Sequence, residues 1–131
     1  MNDFSNAGPI ATTEQFKAAL LAMRDWIGIS PVQLQMLQAQ CHASDSAITA
    51  AQIASKLSLK SCADARHKYS TLARAVAGNL GYEPPRRGKA VLHWWLALSV
   101  GRAGTEDSGE GDFEWVMRPE LVAALHEMKW A

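Results

Sequence analysis

The stretch ITAAQIASKLSLKSCADARHKYSTLARAVAGNLG, Ile48–Gly81, decides the fold. Thr49 and Gln52 make a capping box at its start, in which each side chain satisfies a backbone N–H that the first helical turn leaves unpaired. Ile53, Ala54 and Leu57 follow as a short apolar face of about two turns. After Ser58-Leu59-Lys60, Ser61 with Asp64 marks a second helix start, the acid standing in for the usual Glu or Gln. Tyr69, Leu72, Ala73, Val76 and Leu80 then recur at helical spacing, and Gly81 supplies the residue that closes a helix. A short helix and a long one joined by a tight turn is the helix-turn-helix layout.

Upstream, Thr12 and Gln15 form another capping box, followed by the stripe Phe16, Leu20, Met23 and Ile27, with Gly28 as the stop. Ser30, Pro31 and Gln33 start a second helix with Leu34, Leu37 and Cys41 inward; Pro sits where a missing N–H costs nothing. Residues 1–11 lack periodicity and read as a flexible N-terminus ahead of one domain over 12–131, and His42–Ala47 reads as a polar turn. Downstream, GYEPPRRGKA is a basic Pro/Gly loop, and AVLHWWLALSV reads as a strand buried on both faces, with Trp94 and Trp95 on opposite sides. GRAGTEDSGEGD is an acidic loop, and FEWVM is a second strand with Phe113, Trp115 and Met117 on one face. Pro119 opens a last helix facing Leu121, Val122, Leu125 and Met128 inward, with Trp130 near its end. A hairpin directly after a helix-turn-helix predicts a mostly helical α+β, winged-helix-like domain with extra N-terminal helices and a C-terminal helix.

The chain has 131 residues, 48% of them apolar, enough for one domain with a core of its own. No run reaches the ~18 apolar residues of a membrane helix, and the N-terminus has neither the basic start nor the apolar block of a signal peptide. A cytoplasmic location is the expectation. Cys41 and Cys62 read as buried thiols rather than a disulfide framework. The sharper alternative, zinc held by Cys41, His42, Cys62 and His67, lacks any locally spaced ligand pair, so neither metal nor cofactor is expected.

Net charge is zero but uneven: −2 over residues 1–55, +6 over 56–92 and −4 over 93–131. A basic middle fits an anionic partner on one face. Arg66, Ser70 and Arg74 repeat every four residues along the long helix, flanked by Lys60 and Lys68, and such a face suits a DNA groove or is simply solvated. Arg86, Arg87 and Lys89 are the densest basic cluster, placed either to grip phosphate or to solubilise the loop. The acids Glu106, Asp107, Glu110 and Asp112 would repel phosphate, so the alternative partner is a protein met by this acidic loop. That reading makes the chain a regulator or inhibitor of a defence complex, of the kind phages and plasmids carry. No nucleophile elbow, phosphate loop or other catalytic constellation stands out, so an enzyme is not expected.

The stretch from Leu34 to Leu80 resembles a bacterial module found at the N-terminus of HNH-type restriction-like endonucleases and also free-standing. Trp115-Val116-Met117-Arg118-Pro119-Glu120 and Trp130 are similar to its C-terminal signature. Tyr69 and Leu72 match the module's central helix, whereas Arg66 stands at its Asn and Ser70 and Ala73 at its two glycines. The 131 residues contain no His-Asn-His pattern. The resemblance implies a recognition or regulatory module rather than a nuclease.

Overall fold

The computed structural model describes residues 9–83, 94–102 and 114–131. The chain order is α1 (Thr13–Trp26), α2 (Pro31–His42), β1 (Ala47–Thr49), α3 (Ala50–Leu57), α4 (Cys62–Leu80), β2 (Ser99–Arg102), β3 (Glu114–Met117) and α5 (Pro119–Glu127). The class is α+β, with five α-helices on a small antiparallel sheet among the described residues. Local chemistry sets the helix starts. Thr12, Ser30 and Thr49 each cap through the full reciprocal box, with side-chain oxygens accepting at 3.1 Å from the N–H of Gln15, Gln33 and Gln52.

The fourth cap differs from its expectation. Ser61 accepts from the Asp64 N–H at 3.1 Å, but the Asp64 carboxylate does not return the bond. It lies 3.6 Å from Lys68 one turn on, because aspartate is one methylene too short to reach back as Gln does.

Two strand expectations are corrected. Among the described residues the sheet has three strands in the order β1-β3-β2, of which the sequence reading holds only the last two. β1 pairs Ala47 with Val116, Ile48 with Trp115 and Thr49 with Glu114. β2 pairs with β3 from Ser99 opposite Met117 to Arg102 opposite Glu114. The run AVLHWWLALSV is not one strand where it is described. Trp94–Ala97 is a 3-10 turn closed by the Leu98 N–H on the Trp95 carbonyl at 3.0 Å, and extended backbone begins at Ser99. Leu96, Ala97, Leu98 and Ser99 are all buried in succession, as the doubly covered strand would also be, so it is the Trp95–Leu98 turn and not the burial that breaks the strand.

The core lies between α1, α4, α5 and the sheet, with Phe16, Leu20, Met23, Leu72, Val76, Leu121 and Leu125 closed to solvent. Each such side chain contributes ~1.5–3 kcal/mol on burial. Ile10 and Ala11 already pack here, just ahead of the first cap.

At the centre sits a polar ring. Gln40 Nε2 donates to Ser99 Oγ at 3.0 Å and to the Trp115 carbonyl at 2.9 Å, and the Tyr69 hydroxyl donates to Gln40 Oε1 at 2.6 Å. Because the phenolic hydrogen is spent on Gln40, the 2.6 Å contact between Tyr69 and Ser99 has Ser99 as donor. All three side chains are 0% exposed, and Tyr69 stacks on Trp115 with centroids 4.1 Å apart. The ring fastens α2, α4 and β2 together, and the Trp115 carbonyl adds β3. Arg118 extends the fastening: its Nε donates to the Leu96 carbonyl at 2.9 Å, and its N–H to the Leu98 carbonyl at 3.0 Å.

Candidate nucleic-acid interface

α3 and α4 are joined by Ser58–Ser61, and the join is set by Ser58 in the left-handed region (φ 57). That conformation lets the Leu59 N–H close on the Ala54 carbonyl at 2.8 Å and turns the chain into α4. α4 then runs 19 residues, about 28 Å at ~1.5 Å per residue. Its inward arc is Ala65, Tyr69, Leu72, Ala73, Val76 and Ala77. Its exposed face is Ala63, His67, Thr71, Arg74 and Gly78, with Ser70 half-buried at the margin. Small residues at Ala63 and Gly78 let a ligand approach the helix closely, and a Cβ built on Gly78 would meet nothing within 4 Å. The one acid of α4, Asp64, is held by Lys68.

The residues singled out from sequence are placed as follows. Lys60 is exposed on the turn, and Lys56, on the last turn of α3, is exposed beside it in the chain. Neither forms an ion pair among the described residues. Arg74 is exposed, with its guanidinium carbon 5.5 Å from the centroid of the Trp94 ring, a cation–π distance. Lys68 is half-buried and paired, and Ser70 is half-buried. Arg66 is half-buried because Ala73, seven residues on and about 20° away round the helix, is part of the core. The four-residue repeat Arg66-Ser70-Arg74 therefore winds from the edge of the core out to solvent instead of lining one open face. Trp94 and Trp95, expected on opposite sides of a strand, sit on the 3-10 turn, both half-buried. Arg86, Arg87 and Lys89, and the acids Glu106, Asp107, Glu110 and Asp112, lie outside the described residues.

Reading by charge missed His67 and Thr71. The signal was present: both follow Ala63 at helical spacing, on the side away from Tyr69, Leu72 and Val76. Together with Lys68 they form one wall of a cleft of about 320 Å³, whose other wall is Ser30, Val32 and Gln33 at the start of α2.

No family model, curated protein or solved structure matches this chain. The functional reading therefore stands on geometry. Among the described residues no group of three or more metal-ligating side chains occurs. Cys41 is buried and its sulfur lies 3.4 Å from Nε2 of His126, not near a second thiol; burial pushes the Cys41 thiol above its ordinary value, so it stays protonated at neutral pH. Among the described residues no helix is long and apolar enough to cross a membrane. What the α3–α4 surface offers is hydrogen-bonding groups and positive charge, the chemistry of binding.

Proposed function

We propose that this chain is a non-enzymatic, winged-helix-like DNA-binding module that lays α4 in the major groove. The observation that carries the reading is the outward face of α4. It combines His67, Thr71 and Arg74 with small Ala63 and Gly78, and bears no acid. Hydroxyl, imidazole and guanidinium groups match donor and acceptor edges of bases, and a helix of this kind fits a groove about 12 Å wide. Lys56 and Lys60, on and just after α3, are set to contact the phosphate backbone, and the composition of Arg86, Arg87 and Lys89 suits the same role. The order β1, α3, α4, β2, β3 and the sheet order β1-β3-β2 support the winged-helix reading. So does the sequence resemblance to the module that precedes HNH-type nucleases, a recognition part with the nuclease pattern missing from these 131 residues.

The test is anisotropy of a labelled random duplex against salt. Log affinity should fall linearly with log salt by about 0.9 per phosphate contacted. Replacing Lys60→Glu with Arg74→Glu should weaken binding at least about tenfold, and His67→Ala with Thr71→Ala should alter preference among sequences more than affinity for random duplex. Absence of binding at about 50 mM salt would sink the DNA reading.

A further inference from the structure

A second groove, of about 310 Å³, opens on the far side of α2 from the α4 cleft. It is lined by Arg24, Ile29, Leu34, Gln38, Lys129 and Trp130. Val32 faces the cleft and Leu34 the groove, and two residues apart on a helix is about 160° round the axis. The two surfaces are thus separate, and an occupant of one leaves the other open.

The groove is built, not incidental. After α5 the chain turns back through Lys129 in the left-handed region (φ 62), a conformation that glycine takes at lower cost. The Trp130 N–H closes on the Leu125 carbonyl at 2.9 Å, and Gln38 Nε2 donates to the Trp130 carbonyl at 2.9 Å. This ties Trp130 across α2, where it forms a wall with Ile29 and Leu34. Beyond the groove the apolar surface continues along the end of α1, where Trp26 is 87% and Ile27 69% exposed.

The charges that line the groove are positive, with one carboxylate, Asp25, behind Arg24. Among the described residues, Arg24 and Lys129 are the ionisable groups that line it, and both are cations. Asp25 meets Arg24 at Nε, at 3.0 Å, and the Arg24 side chain is 56% exposed, so its terminal guanidinium nitrogens keep donors for a second carboxylate. Lys129 forms no ion pair among the described residues. An apolar floor between two cations complements a segment with bulky apolar side chains spaced by carboxylates. The volume is at the low end for ligand pockets and takes one or two such side chains.

We propose that this groove docks an acidic, amphipathic segment of a partner protein, with apolar side chains between Ile29, Leu34 and Trp130 and carboxylates on Arg24 and Lys129. The inference does not rest on DNA binding, since it uses no residue of α3 or α4. The probe is a short fluorescein-labelled peptide of Asp and Glu alternating with Phe and Leu, together with its charge-inverted twin carrying Lys and Arg. The acidic peptide should bind the full chain and the basic twin should not. Arg24→Glu with Lys129→Glu should cut acidic-peptide affinity at least about tenfold and let the basic twin bind. Recovery by the twin separates loss of the site from loss of fold. Equal binding of both peptides, indifference to charge reversal, or no binding at low salt would overturn the proposal. So would displacement of the peptide by random duplex DNA, which would assign the surface to nucleic acid.

Discussion

Replacing Tyr69 with Phe removes one oxygen and tests the polar ring directly. In the native ring Gln40 donates to Ser99, Ser99 to Tyr69 and Tyr69 back to Gln40, all with no solvent access. Without the phenolic oxygen, the Ser99 hydroxyl loses its acceptor and Gln40 Oε1 its donor. Each buried group left unpaired costs about 1–3 kcal/mol, so the loss of two should be roughly 2–6 kcal/mol. The aromatic stack on Trp115 and nearly all the volume are retained, so packing supplies little of it. Ser99→Ala should cost less, about 1–2 kcal/mol, because Gln40 keeps its bond to the Trp115 carbonyl and its bond from Tyr69. In the double variant the orphaned Ser99 hydroxyl is gone, so the two losses should sum to more than the measured total by about 1 kcal/mol. Urea unfolding at constant slope gives all three values. A Tyr69→Phe cost within about 0.5 kcal/mol, or strict additivity, would refute the closed ring.

Ser58→Gly should stabilise the chain by about 0.5 kcal/mol, because it relieves a left-handed serine at the α3–α4 turn while loosening the unfolded chain; a fall in urea midpoint would contradict this. Alkaline pH should destabilise the fold. Burial raises the Cys41 thiol and the Tyr69 and Tyr82 phenols, so the folded chain holds protons that the unfolded chain has released. Stability from this source is intact below about pH 9 and is lost as pH rises beyond it, and Tyr69→Phe should show a shallower decline of the urea midpoint with pH.

What could be read directly was whatever short-range chemistry determines. Thr12, Ser30 and Thr49 with their glutamines three residues on set three helix starts, because a cap needs no distant partner. The helical stripes of α1, α4 and α5 became the core for the same reason, except at Ile27, which follows the last turn of α1 and is exposed instead of buried. β1 was hidden: three residues are too few to show alternation, and its ladder is made with residues 114–116, far along the chain. The apolar run around Trp94–Leu98 fits a turn as well as a strand until Arg118 is seen binding the Leu96 carbonyl. Gln40 reads as an ordinary polar helix residue, since its partners Tyr69 and Ser99 are 29 and 59 positions away. At the candidate interface, cation spacing pointed to Arg66, whereas the width of the buried arc moves the open face to His67, Thr71 and Arg74.

Thr49 holds two posts at once: it pairs with Glu114 as the last residue of β1, and its hydroxyl starts α3. With no residue of slack between ladder and helix, α3 cannot pivot unless a sheet bond or a cap is given up. The α3–α4 unit and β3 are therefore welded at one joint, and a force on β3 arrives at α3 and α4 as a tilt of the whole head. A ligand that meets both would feel a stiff jaw rather than a hinged one.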